Sequence, residues 1–319
     1  MTHHDTSNGV LPMPELTNSF PGPFPVSPHA DRVEEQTLSW LGAFSLPAQA
    51  DTARLLCNIA AQGVARAVPA ADQDSLVLCS ELFVWLTLFD DIHGEATAGR
   101  GPGLLADQVE KLTRVLDASV SPDPKNPFEL ALRDLLGRLQ GRATPTQYVR
   151  LIQHLRGNLL GIVREAQQMI RPERMTVYDY CALRPDTVFV RTLMTTAEVL
   201  LQYELSDELR TFQPVRVLET AVSDLAGWIN DLASYRREAA QLRANPLSLP
   251  ALIMAEHGVA LPVAFQIVSR MCEEEASTAR ARMTELSASG HIPLMLHAQA
   301  LEHVAHSFIW HIDHARYRP

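Results

Sequence analysis

An all-α fold, a single helical bundle closed around a central apolar cavity, is what this 319-residue sequence predicts, and three observations predict it. Apolar residues recur at the 3.6-residue period of a helix from about residue 30 to the end, with no convincing alternation of the kind a half-buried strand shows. The interruptions are short: "SPDPKNP" at 121–127, "GRATPT" at 141–146, "RPER" at 171–174 and "SASGHIP" at 287–293. None resembles an interdomain linker, and no internal repeat appears. Finally, two helical stripes run apolar and then end in oxygen-bearing side chains, as expected of helices that line a greasy cavity with a polar mouth.

Residues 1–29, rich in Pro, Ser, Asn and Thr, read as a loose arm that folds over the body, and residues 30–319 as one helical domain. "DRVEEQTLSWLGAF" opens the first helix, with Asp31 able to cap it and Val33, Leu38, Leu41 and Phe44 near one face. "TQYVRLIQHLRGNLLGIVREAQQMI" repeats the period over many turns through Val149, Ile152, Leu159, Ile162 and Val163. A composition of 46% hydrophobic and 20% charged residues is that of an ordinary globular protein. The formal net charge of -10, without a basic cluster, argues against a nucleic-acid partner. Cys57, Cys79, Cys181 and Cys272 show no zinc-like spacing and read as reduced thiols of a cytoplasmic protein. No stretch at the N-terminus is apolar enough for a signal peptide or a membrane span.

The first special stripe is Phe83, Leu86, Thr87 and Asp90, inside "LTLFDDIHGE". Asp90 and Asp91 sit near the partially negative end of a helix that stops around Gly94, where carboxylates are unfavourable unless something positive compensates them. The second stripe is Val222, Ala226, Asn230, Ser234 and Glu238, inside "WINDLASYRRE". Carboxylate, amide and hydroxyl oxygens suit Mg²⁺, which keeps waters or binds substrate phosphates. Alone, either motif is more often a solvated helix face. Together, with matching apolar run-ins, they point to a site. The histidines in "EHVAHSFIWHIDH" (His303, His306, His311 and His314) lack a completing zinc pattern and read as an amphipathic helix face, and "CEEEAS" reads as a solvated one.

At these residues the sequence resembles the class I terpene synthases of the bacterial type, whose single α domain is a helical bundle around an apolar cavity. Their Asp-rich motif matches Asp90, Asp91 and Glu95, and their second motif matches Asn230, Ser234 and Glu238 complete. The resemblance implies that these residues, Asp91 apart, hold three Mg²⁺ ions against the diphosphate of a prenyl diphosphate substrate. It implies a diphosphate-sensing role for Arg184, with Thr187 and Val188 as the linker and effector positions. Arg237, Arg316 and Tyr317 join Arg184 on the diphosphate, and Asp91 pairs with Arg184 on closure. Phe83, Leu86, Thr87, Val188 and Trp310 are expected in the pocket wall. Glu95, five residues after Asp90, departs from the commoner spacing. Homodimers are common in the family.

The reaction implied is metal-assisted ionisation of an acyclic prenyl diphosphate, followed by cyclisation and then deprotonation or capture by water. Farnesyl diphosphate is the expected substrate, giving a sesquiterpene. Geranylgeranyl diphosphate, a diterpene precursor, is the alternative favoured by the modest side chains of Leu86 and Thr87. A head-to-tail prenyl diphosphate synthase fits less well, because "NDLASYRRE" is not a second Asp-rich motif. The reading from another class is a helical interaction protein with relic motifs, which predicts no Mg²⁺ dependence.

Overall fold

The computed structural model describes residues 11–94, 102–170, 174–242 and 246–317, and among these it contains thirteen α-helices and no β-strand. In chain order they are α1 (Ala30–Ala43), α2 (Ala50–Ala67), α3 (Gln73–Phe89), α4 (Pro102–Leu116), α5 (Pro127–Gln140), α6 (Pro145–Ile170) and α7 (Val177–Thr187). There follow α8 (Val190–Leu200), α9 (Asp207–Thr211), α10 (Gln213–Leu242), α11 (Leu249–His257), α12 (Leu261–Ser287) and α13 (Ile292–His311).

Helix starts follow local chemistry. Asp72 accepts from the Ser75 backbone N–H at 2.9 Å to cap α3, and Thr176 accepts from the Asp179 N–H at 3.1 Å to cap α7. Asn126 caps α5 ahead of a proline whose missing N–H costs nothing at the first helical position. Asp31 does not cap α1: the helix starts one residue earlier, His29 is the N-cap without a side-chain bond, and Asp31 is exposed in the first turn.

Two apolar clusters make the core. One packs α10 against α12 and α13, with Val222, Ala226, Ile229, Phe265 and Val304 buried. The other packs α3 against α5 and α6, with Trp85, Phe89, Leu132 and Leu159 buried. On α6 the buried stripe is Leu151, Leu155, Leu159, Ile162 and Ala166, whereas the expected Val149 is 56% exposed. From Leu11 onward the arm is docked rather than loose. Leu16 and Phe20 are buried, Ser269 Oγ donates to the Pro12 carbonyl at 3.1 Å, and Phe24 stacks on His306. Among the described residues, no single helix is long and apolar enough to cross a membrane.

Two breaks in the helical ladder shape the cavity. After Phe89 the chain widens into a single π-turn, Asp90–Gly94, of the sort that re-aims side chains at functional sites. A side chain at Gly94 would collide with Asp90 Oδ1 and lie 2.9 Å from Ile162 Cγ2, which is why a glycine closes the turn. Between α7 and α8, Phe189 adopts the left-handed conformation with φ 61°, a costly state for a bulky residue that over-determining contacts must hold. That kink brings Thr187, Val188 and Phe189 to one cavity wall.

Candidate active site

A cavity of about 650 Å³ opens between α2, α3, α6, α7, α10 and α13. Its wall carries Phe83 and Thr87 from α3, Ile162 and Ala166 from α6, Val188 and Phe189 from the kink, and Phe308 and His311 from α13. Its polar end gathers Asp90, Asp91, Glu165, Arg184, Asn230, Asp231, Arg237, Glu238, Arg316 and Tyr317. Of the two sequence stripes, Phe83, Thr87 and Asp90 of the first and Asn230 and Glu238 of the second line this space, whereas the apolar run-in of the second, Val222 and Ala226, is buried in the α10–α12–α13 core and Ser234 is not among the lining residues.

Two expected wall residues are elsewhere. Leu86 is fully buried in the α3–α5–α6 cluster and is not among the residues that line the cavity. Trp310 turns outward beneath Arg66, whose guanidinium carbon lies 4.1 Å from the ring centroid, and His311 takes the wall position instead. One residue of helix is a rotation of about 100°, enough to exchange inside for outside. Glu95 lies outside the described residues.

Arg184 is the electrostatic hub. One terminal nitrogen reaches Asp231 Oδ1 at 2.9 Å and donates to Asn230 Oδ1 at 2.7 Å, while the other donates to Thr187 Oγ1 at 3.1 Å. Burial opposes its charge, but Asp231, Tyr180 and Glu165 more than compensate, raising its pKa above the usual guanidinium value. Asp231 is itself anchored, accepting from the Tyr180 hydroxyl at 2.9 Å and from the Leu249 N–H at 2.9 Å. Room for Arg184 comes from Gly227 on α10, where a Cβ would lie 2.7 Å from Arg184 Cγ.

Asp91 does not pair with Arg184. That pairing is expected on closure; here Asp91 accepts two bonds from Arg316, at 2.8 and 3.1 Å, and Arg184 is held by Asp231. Arg316 and Tyr317 belong to a short 3₁₀ turn, Ala315–Tyr317, that follows α13. Asn230 Nδ2 donates to the Tyr317 hydroxyl at 2.9 Å, tying this turn to α10. Glu238 receives Arg237 at 3.3 Å. Ser234 is 1% exposed and its Oγ has no hydrogen-bond partner, an arrangement that normally costs stability unless a missing ligand supplies the partner.

Sequence reasoning did not find Asp231, Tyr180, Gly227, Glu165 or His311. Glu165 faces the cavity 3.9 Å from Arg184, and burial raises its pKa against that guanidinium. Burial holds His311 neutral, with its pKa down at about 3. Asp231 stood in the second motif and could have been flagged as an acid inside an apolar stretch, "AGWINDLA". The others carried no local signal. Of the remaining C-terminal histidines, His306 stacks on Phe24 and His314 donates to Asn58 Oδ1 at 2.9 Å, while His303 sits beside His306 with ring centroids 6.0 Å apart.

Comparison with known proteins agrees with this geometry. Residues 81–278 match the family model described as terpene synthase family 2, C-terminal metal binding. The chain is 51% identical over 319 residues to a (12E)-labda-8(17),12,14-triene synthase of Streptomyces anulatus, covering 99% of this chain and 98% of the relative. It is 49% identical to a synthase of the same description from Streptomyces cyslabdanicus, covering 100% and 97%. Its fold matches the crystal structure of a linalool/nerolidol synthase from Streptomyces clavuligerus with a TM-score of 0.78 at 21% identity, covering 92% of this chain and 98% of that one.

Proposed function

We propose, from the premise that this chain belongs to the class I terpene synthases, that it is a diterpene synthase acting on an allylic C20 diphosphate that already carries a labdane ring system. The observation that carries this reading is the near-full-length identity to two enzymes named for a labdatriene product. It moves the favoured substrate from the expected C15 chain to C20.

The chemistry of the site supports a preformed ring system. A labdane has two fused rings, and closing them from an acyclic chain starts with protonation of an alkene remote from the diphosphate. The cavity's acids, Asp90, Asp91, Glu165, Asp231 and Glu238, stand with the arginines at its polar end rather than at its apolar end. That arrangement serves departure of a diphosphate and not protonation at a distance from it.

Divalent-metal dependence comes with the family, and the donors fit a hard cation. Asp90, Asn230, Ser234 and Glu238 are the side chains that would hold Mg²⁺, three ions in all, and the orphaned Ser234 hydroxyl is the observation that favours them. Among the described residues, no three Asp, Glu, His or Cys side chains form one metal-sized cluster, so amide and hydroxyl donors have to contribute. Bound there, Mg²⁺ supplies Lewis-acid stabilisation of the leaving diphosphate.

The chain's own residues do the rest. Arg184, Arg237, Arg316 and Tyr317 bind diphosphate oxygens and neutralise the charge that builds as the allylic C–O bond breaks and its electron pair leaves on oxygen. Phe83, Thr87, Val188, Phe189 and Phe308 keep water from the allylic cation. Transfer of a proton from the carbon next to that cation to an oxygen of the released diphosphate then forms a conjugated diene.

The test is incubation with farnesyl diphosphate, geranylgeranyl diphosphate and a bicyclic labdane diphosphate, with and without Mg²⁺, followed by gas chromatography and mass spectrometry. The bicyclic substrate is expected to show a kcat/KM at least about tenfold above the others. Preference for farnesyl diphosphate would restore the sesquiterpene reading, and no product from any of them would leave the relic-motif reading.

A further inference from the structure

One cavity-facing stripe has an unexpected gap. On α2 the residues turned to the cavity are Thr52, Leu55, Leu56, Ile59, Ala60, Gly63 and Val64. Asn58 meets His314 just before the 3₁₀ turn that carries Arg316, whereas Gly63 meets Ser307, two turns of α13 further in. Within the stripe Ala60 and Gly63 leave a gap in side-chain bulk between Ile59 and Val64. Glycine in a helix interior is less stable than alanine, so its place within α2 calls for a packing or functional reason.

The neighbours give that reason. A Cβ at position 63 would lie 3.1 Å from His311 Nε2, 3.8 Å from His311 Cε1 and 3.4 Å from Ser307 Oγ. Ser307 Oγ donates to the Gly63 carbonyl at 2.9 Å, clasping α2 to α13 at this point. His311 itself lines the cavity, and its Nδ1 is buried with no hydrogen-bond partner. Packing therefore fixes the ring: its Nε2 edge faces the bare backbone of Gly63, and Phe308 and Tyr317 flank it with ring centroids 5.4 and 6.2 Å away. The ring stays uncharged at neutral pH, being buried and facing the positive charges of Arg66 and Arg316 and the imidazole of His314. A neutral aromatic face can lie against a carbocation without repelling it.

Resting on the diterpene synthase reading, we propose that Gly63 and His311 form a product-specificity determinant. The missing side chain at Gly63 sets how far the imidazole reaches into the cavity, and the imidazole contour sets how the bound cation lies when it loses its proton. A methyl group at position 63 pushes the ring by a few tenths of an ångström, a displacement large enough to re-partition competing proton losses whose barriers differ little.

The experiment uses the full chain and whichever prenyl diphosphate the wild type converts, and it reads the ratio of products, which does not depend on overall rate. For Gly63→Ala the share of the main wild-type product is expected to fall by at least about half, with new isomers of the same mass. A purely structural role for Gly63 predicts slower turnover with an unchanged ratio, and that result overturns the proposal. Should Gly63→Ala not fold, His311→Ala, which empties the same spot instead of crowding it, carries the test, and an unchanged ratio there overturns it equally. If the wild type converts only farnesyl diphosphate, the diterpene reading fails on its own while the ratio measured on that substrate still decides the role of Gly63.

Discussion

Arg184 donates to Asn230 Oδ1 at 2.7 Å, so the amide oxygen best placed by its motif to take a cation is already held by a guanidinium. The other end of the same amide is held by Tyr317 at 2.9 Å. On the proposed reading, a cation at Asn230 would compete with Arg184 for this oxygen and free guanidinium donors for the diphosphate, so that metal and diphosphate binding would be coupled through this one amide.

Replacing Ser234 with alanine separates a metal role from a packing role. Its hydroxyl is buried and unpartnered, so removing it relieves an unsatisfied group and should leave the melting temperature unchanged or slightly higher. Activity should move the other way, with kcat/KM falling by roughly tenfold or more at limiting Mg²⁺ and partly recovering at high Mg²⁺. A titration of rate against Mg²⁺ beside a thermal melt checks both. A lower melting temperature with an unchanged Mg²⁺ requirement would make Ser234 a packing residue.

Asp231→Asn should act first on the fold. The side chains of Asp231 and Arg184 are 2% and 12% exposed, and removing one charge of a buried pair strands the other. The expected loss is about 3 kcal/mol, read as a shift of the denaturation midpoint. Tyr180→Phe removes only one donor to Asp231 and should cost about 1 kcal/mol.

The same region shows what the sequence could and could not disclose. Asn230 and Glu238 could be placed on one cavity-facing side because α10 is regular over thirty residues and the helical period kept its phase, although the apolar positions before them, Val222 and Ala226, pack into the core instead. At the end of α3 the phase is lost: the chain widens into the π-turn at Asp90–Gly94, where Ile162 of another helix leaves no room for a side chain at Gly94, a contact no local pattern encodes. Trp310 and His311 were exchanged for a similar reason, since they close α13 and both are plausible cavity liners. Arg184 was legible by resemblance, but its partner was not. Asp91 is nearer in motif logic, whereas Asp231, adjacent to Asn230, is nearer in space.

Arg316 and Asp91 make a testable latch. Their side chains are only 9% and 20% exposed, so the pair orders the turn that also carries Tyr317. Arg316→Ala should reduce kcat/KM by about 10²-fold if, as proposed, it removes a diphosphate ligand as well as the latch. Asp91→Asn should be milder and expressed mainly in kcat, since Arg316 remains but is less well placed. Steady-state kinetics on both variants decides this, and equal losses would mean that Asp91 contacts metal or substrate directly.

The buried histidines should make stability fall as the pH drops below about 6.5, while Glu81 and Asp224, which burial raises to about 7 and about 6, take up protons in the folded chain over the same range and oppose part of that loss. Burial lowers the pKa of His154 and of His306 to about 4 and that of His311 to about 3, against an ordinary value of 6.5. Each is therefore neutral in the folded chain at a pH where the unfolded chain already binds a proton. For such a group the stabilisation is complete above the unfolded value and is lost as pH falls from about 6.5 toward the folded value. His306 is 5% exposed and packed between Phe20 and Phe24, so protonating it would also loosen the docked arm. Its contribution approaches about 3 kcal/mol at the acid limit, with the opposing pull of Glu302, 4.0 Å away, already included. Melting temperatures measured from pH 8 to pH 4 should drop most steeply below about pH 6. His306→Phe should flatten that slope while keeping the stack on Phe24, and an unchanged slope in that variant would assign the acid sensitivity to other groups.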